Sequence, residues 1–146
     1  MIHKGTYSIL AELNDEAKVV VASGKTFTLK RGFYGYVGSA LNGIEKRVAR
    51  HLTDNKKFHW HIDYLLSLAV VRLVVCAEND KPSECLIAHT LSQDLLQIIG
   101  FGCSDCTCRS HLFYAKDFIT LKTNTINTFT LHGLNPYQIT PARLVN

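Results

Sequence analysis

The chain has little charge and none of the features that send a protein into or across a membrane. Charged residues make up 19% of it against 47% hydrophobic. That balance excludes a charge-solvated disordered chain. No strong excess of one sign is present either. Sixteen Lys and Arg against twelve Asp and Glu leave a formal charge of +4, which tolerates a polyanionic partner without demanding one. The first residues, MIHKGTYSIL, lack the apolar core and small-residue cleavage site of a secretory leader. The longest apolar run, LLSLAVVRLVVCA, contains Arg72 and is too short to span a bilayer. No internal repeat or low-complexity tract stands out. Five cysteines, an odd number with no leader, read as thiols or metal ligands in a reducing compartment. The expectation is a cytoplasmic protein with no membrane partner.

What is present is enough chain for one packed core: 146 residues. GTYSILAEL alternates, with Tyr7, Ile9, Ala11 and Leu13 on one face, and reads as a strand. KVVVAS, TFTLK and FYGYVG follow with turns between them, so the first forty residues predict an antiparallel meander. A helix is predicted from about Gly43 to Thr53, a short helix in HWHIDYLLSL and a buried strand in VVRLVVCA. DKPSECLIAHTLSQDLLQII predicts an amphipathic helix with Asp80 as N-cap and Pro82 in the first turn. A loop, GFGCSDCTCRS, then leads to a strand, HLFYA. Residues 123–146, rich in Thr and Asn, read as an extension packed on the domain. The fold class is α+β, a small antiparallel sheet flanked by helices.

The basic residues cluster: Lys46, Arg47, Arg50, Lys56 and Lys57 fall within twelve positions, 46 to 57. Such a patch is the footprint of phosphate binding. On the first helix Ile44, Val48 and Leu52 form the buried stripe, and Arg47 and His51 stack one turn apart beside it. Lys46 and Arg50 are expected to point to solvent. Two readings of Arg47 stand level: a charge aimed at chemistry on the rim of the core, or a side chain snorkelling over its edge. The later helix repeats the pattern. Glu84 falls within the stripe of Ile87, Ala88, Leu91, Leu95 and Ile98. A carboxylate aimed coreward needs a cation or a metal. Alternatively it complements the helix dipole in the first turn and stays hydrated.

The ordered set GTY, FYGYVGSAL, RVARHL, FHWHIDYLL, ECLIA and GFGCSDCTCRSHLFY resembles the GIY-YIG nuclease superfamily. It is most similar to an uncharacterised GIY-YIG-type family of bacteria and archaea that is sometimes fused to an endonuclease III-like glycosylase. The resemblance covers residues 4 to about 116, which makes residues 1–116 a nuclease-like domain and 117–146 its extension. It implies a set of roles. Tyr7 and Tyr36 would be the motif tyrosines, side by side on adjacent strands, one of them activating water. Arg47 would bind the scissile phosphate, and His51 would assist proton transfer or phosphate positioning. Glu84 would hold one divalent ion, magnesium or manganese. Gly5 and Gly38 would permit close packing of the motif strands. The halves of the motif are separated by an inserted hairpin.

These residue types suit phosphodiester chemistry. Arg is a bidentate phosphate clamp, and magnesium binds few carboxylates and keeps its waters. The expected function is therefore a metal-dependent endonuclease acting on DNA, in repair or processing. The alternative is a non-catalytic nucleic-acid-binding module of the same fold. Lys46, Arg50, Lys56, Lys57, His59 and His61 are candidates for the nucleic-acid surface, though packing and capping explain His59, His61 and Asp63 better. Oligomeric state is left open. A second cluster, Cys103, Cys106, Cys108 and His111, has the ligand types of a structural zinc site. A third reading, a zinc-stabilised interaction domain, rests on that loop alone.

Overall fold

A computed structural model describes residues 3–53, 56–102 and 108–141. In chain order the elements are β1 (Gly5–Leu13), β2 (Ala17–Val20), β3 (Thr26–Leu29), β4 (Gly32–Ala40), α1 (Ile44–His51), α2 (His61–Leu66), β5 (Val70–Glu78), α3 (Glu84–Asp94), β6 (Leu96–Gln97), β7 (Leu112–Ala115), α4 (Phe118–Leu131) and β8 (Tyr137–Ile139). Six strands form one antiparallel sheet in the order β6-β7-β4-β1-β5-β8. β2 and β3 form a separate hairpin ribbon. The class is α+β, as expected. The consecutive pairing of a meander is not: β1 pairs directly with β4, Tyr7 opposite Gly38, and the hairpin loops out between them. Its short strands alternate buried and exposed residues. Val19, Val21, Phe27 and Leu29 therefore pack onto one face of the main sheet instead of joining its ladder.

Both faces of the sheet are covered. α1, α2 and the hairpin pack on the face that carries Tyr7, Ile9, Tyr34 and Tyr36. α3 and α4 pack on the face that carries Leu10, Val37, Val75 and Phe113. Double coverage explains why β1 is buried almost throughout, since a strand with no wet face has no polar alternation to keep. Each of Leu121 and Phe129 on α4 is fully buried and contributes about 1.5–3 kcal/mol of transfer free energy. β8 extends the sheet beside β5. Residues 118–139 thus supply a core helix and an edge strand.

α3 differs from its sequence expectation. It starts at Glu84, with Ser83 rather than Asp80 in the N-cap position, and ends at Asp94. Leu95 is already extended, and Leu96 and Gln97 form β6 against β7. Apolar periodicity continues past Asp94, but the free edge of β7 offers backbone partners that continued helix would forgo.

A candidate active site at the end of strand β4

β7 pairs with β4 only from Phe33 to Tyr36. One more bond, Val37 N to His111 O, closes that side. Beyond it the end of β4 is paired only with β1 among the described residues, and a cavity of about 260 Å³ opens there. Tyr7, Tyr36, Arg47 and Glu84 line it, together with His59, Trp60 and His61. Elements from both layers reach this notch, α1 from one face of the sheet and the first residue of α3 from the other.

Tyr7 and Tyr36 are held by strand register. Tyr7 stands opposite Gly38 and Ile9 opposite Tyr36, so the two rings are diagonal neighbours on one face. A Cβ on Gly38 would come within 2.5 Å of the Tyr7 hydroxyl, and one on Gly5 would collide with the Ala77 carbonyl. Glycine at these two positions lets the strands and the Tyr7 ring sit where they do.

Behind Tyr7 lies His51, 2% exposed, its Nε2 2.8 Å from the Tyr7 hydroxyl. The imidazole also contacts the rings of Tyr36 and Trp60. Its Nδ1 is buried with no hydrogen-bond partner among the described residues. Burial pushes its pKa down to about 3, against the pull of Asp63, so it is neutral near pH 7. Burial pushes the Tyr7 hydroxyl up to about 12, with Arg47 acting in the opposite sense. The Tyr36 hydroxyl is raised further by burial and by Tyr7.

Ser39 joins the two charged groups. Its carbonyl accepts from Arg47 Nη1 at 3.2 Å, and its hydroxyl donates to Glu84. Arg47 also lies over the Trp60 ring, 4.6 Å from its centroid, which fixes the guanidinium plane. The sequence placed Arg47, His51 and Glu84 beside apolar stripes, and the structure brings all three to Tyr7 and Tyr36. It missed Ser39 and Trp60. The signal for Ser39 lay in YVGSAL, one residue beyond the glycine.

Arg50 is a correction. Instead of pointing to solvent it makes a two-pronged ion pair with the fully buried Asp63, at 2.9 and 3.0 Å. It also lies over Trp60 on its own account. Asp63 further accepts the backbone N–H groups of His59 and Trp60, and its carboxyl is held down at about 2 against the opposing effect of burial, chiefly by Arg50. A buried carboxylate without that cation would cost several kcal/mol, which is why α1 gives Arg50 to α2. Lys56 likewise donates to the carbonyls of His51 and Thr53 at the end of α1. His61 accepts from Gly102 N through Nδ1. Lys46, Lys57 and His59 are exposed. The basic patch therefore divides, with Lys46 and Lys57 on the surface and Arg50 and Lys56 in internal bonds.

Glu84 is the one carboxylate among the described residues that line the cavity. A hard divalent ion takes oxygen ligands and keeps waters, so a single carboxylate on an open cavity fits it. The sulfur-containing cluster is a different matter. Cys103 and Cys106 lie outside the described residues. Cys108 and His111 are described, and the cysteine that joins them is Cys85 of α3, a residue the sequence pattern did not single out.

No described helix is long and apolar enough to cross a membrane. No curated protein and no solved structure matches the chain. One family model does, over residues 6–133, from the start of β1 to just past the end of α4, and the chain belongs to that family, described as a domain of unknown function, DUF123.

Proposed function

We propose that the chain is a GIY-YIG-type nuclease that cleaves DNA phosphodiester bonds with the help of one divalent ion. The observation that carries this reading is the bridge through Ser39. It holds an Arg and a Glu on one small cavity whose wall also includes a tyrosine hydrogen-bonded to a buried neutral histidine. A helix that only solubilised the protein would have no reason to turn Arg47 inward. A carboxylate that only complemented a helix dipole would have no reason to face it.

Each group has a task that its setting suits. Beyond the N–H on Ser39 and its interaction with Tyr7, the Arg47 guanidinium has further N–H groups with which to clamp the non-bridging oxygens of a phosphate, where negative charge accumulates during attack. Tyr7 is protonated at neutral pH and so cannot begin as a phenolate. It works with His51. As the attacking water gives its proton to Tyr7 Oη, the proton of Tyr7 passes to His51 Nε2, in the tautomer that carries its own proton on Nδ1. The water oxygen forms the new P–O bond, the bonding pair of the broken P–O bond stays on the leaving oxygen, and solvent supplies the proton that makes it a hydroxyl. A phosphate in the cavity brings negative charge near His51 and favours its protonated form, opposing the effect of burial. Glu84 would hold magnesium or manganese, which supplies positive charge to the phosphate oxygens when bound there. Tyr36 lines the wall beside Tyr7.

The test is cleavage of a panel of branched, damaged, duplex and single-stranded DNAs, with and without magnesium. The comparison runs across wild type, Arg47→Ala and Glu84→Gln. Magnesium-dependent cleavage by wild type, lost in both variants, supports the reading. Full cleavage by Glu84→Gln, in a preparation free of other nucleases, removes Glu84 from the site. Tight binding of every substrate with no cleavage makes the chain a binding module instead.

A further inference from the structure

The first two residues of α3 face two different clusters. Glu84 turns to Ser39 and the cavity that Arg47 also lines, and Cys85 turns to Cys108 and His111. One ligand atom from each of Cys85, Cys108 and His111 lies within 4.8 Å of the others, and Cys85 Sγ is 3.9 Å from His111 Nε2. We propose that these three side chains bind zinc, and that the metal clamps the start of α3 to the segment entering β7.

The geometry is close to what the ion needs. Zinc–sulfur bonds of about 2.3 Å and zinc–nitrogen bonds of about 2.0–2.1 Å at tetrahedral angles place ligand sulfur and nitrogen about 3.5 Å apart. The observed pair has only a few tenths of an ångström to close. The donor set is two sulfurs and one imidazole, which selects zinc over the magnesium suited to Glu84. His111 is 6% exposed, so its ring is already fixed by packing. The ligands come from separate elements. Cys85 is on α3, whereas Cys108 and His111 lie just before β7, 23 or more positions further along. A metal joining them would cross-link the layer that carries Glu84 to the strand that ends beside the cavity.

Solvent reaches the trio. Cys85, Cys108 and Arg109 line a second cleft of about 580 Å³, while His111 lines the wall of the Tyr7–Glu84 cavity. Binding requires both thiols to lose their protons to solvent, so affinity rises with pH. Zinc is four-coordinate, which leaves one position for a donor or a water beyond the trio. This assignment does not depend on the nuclease reading. It replaces the loop-only set suggested by the sequence with one that reaches across to the helix.

The test uses the whole wild-type chain. It is stripped of metal under reducing conditions and titrated with zinc, then with cobalt(II) as a spectroscopic probe. Each cysteine is mapped by alkylation and mass spectrometry with and without zinc. The expected result is one equivalent of zinc, a thiolate-to-cobalt charge-transfer band, and zinc-dependent protection of Cys85 and Cys108. Cys85→Ser should weaken zinc binding at least about tenfold. If that variant does not fold, the alkylation map of the wild type still decides. Alkylation of Cys85 at equal rates with and without zinc overturns the proposal, including the case in which Cys103, Cys106 and Cys108 alone become protected. So does a Cys85–Cys108 disulfide that persists in the reducing buffer, or a protein that takes up no zinc.

Discussion

The two faces of the central sheet are built from alternate residues of the same strands, yet they hold different kinds of side chain. Against α3 and α4 the sheet presents Leu10, Val37, Val75 and Phe113, and the helices answer with Ile87, Leu91, Leu121 and Phe129. Against α1 and α2 it presents Tyr7, Tyr34 and Tyr36, and the helices answer with Val48, His51, Arg47 and Trp60. The first face is mainly aliphatic and phenyl surface that gains by exclusion of water, with Thr125 of α4 buried in it and bonded back to its own helix. On the second, rings with polar tips are packed so that their heteroatoms meet at the notch where β4 outruns β7. The difference teaches how one sheet separates tasks. Stability can be concentrated on one side, which leaves the other free to bury hydroxyl, imidazole and guanidinium groups at some cost. The division is not complete. The hydroxyls of Thr6 and Ser8 are buried without partners among the described residues, a polar cost carried by the central strand itself.

The largest effect should come from emptying the aliphatic face. Phe129→Ala removes a fully buried ring and should lower stability by about 3–5 kcal/mol in urea denaturation. The cleavage rate per folded molecule should stay close to wild type. A rate that falls much further than the folded fraction would break the separation of tasks.

Arg47→Ala is the converse. It should cut DNA cleavage at least about a hundredfold, equivalent to about 2.7 kcal/mol of transition-state stabilisation. Its stability should change by about 1 kcal/mol or less, since the variant gives up mainly the stacking of the guanidinium on Trp60. Equal losses in both measurements would make Arg47 a packing residue.

The pH dependence of unfolding sharpens the contrast at His51. Its pKa falls from 6.5 to about 3 on folding, so below 6.5 the unfolded chain takes up a proton that the folded chain does not. That part of the stability is present above pH 6.5 and is lost as pH falls toward 3. The slope approaches about 1.4 kcal/mol per pH unit for one proton. Urea titrations at pH 7, 6, 5 and 4.5 should show this limb in wild type and a shallower one in His51→Gln. Identical slopes would mean that His51 is not held neutral.

The smallest effect concerns the surface cations. Lys46 is exposed and available to phosphate, whereas Arg50 is tied to Asp63. Lys46→Ala should reduce the log–log salt slope of duplex DNA binding by about 0.9. Arg50→Ala should act mainly by destabilising α2. If the two variants shift the slope equally and leave stability alone, the internal pairing of Arg50 does not govern binding.

Much of this arrangement was legible in the sequence. The turn-by-turn placement of Ile44, Val48 and Leu52 oriented α1 and put Arg47 and His51 at the rim of the core. The stripe through Ile87, Ala88 and Leu91 set Glu84 facing inward. The alternation of GTYSILAEL placed Tyr7 on the face it occupies. Other features could not be read this way. Arg50 and Lys46 look alike on a helical wheel, and only the arrival of Asp63 from α2 distinguishes them. The end of α3 at Asp94 depends on the edge of β7, and a continuing apolar pattern gives no sign of it. CSDCTCRSH draws attention to its own spacing and away from Cys85.

Local units, and the side of each that faces the core, follow from neighbouring residues alone, because the periods of helix and strand are written there. The partners are set by the closing of the fold: β1 with β4, Arg50 with Asp63, Ser39 between Arg47 and Glu84, and Cys85 beside Cys108 and His111. Those pairings join residues 8 to 45 positions apart, Ser39 to Arg47 at one extreme and Ser39 to Glu84 at the other. Apolar periodicity favours burial of a face, but it does not say which of several cations, hydroxyls or thiols will meet across the fold. That choice is made when the layers close on the sheet and each buried polar group must find a partner or remain without one.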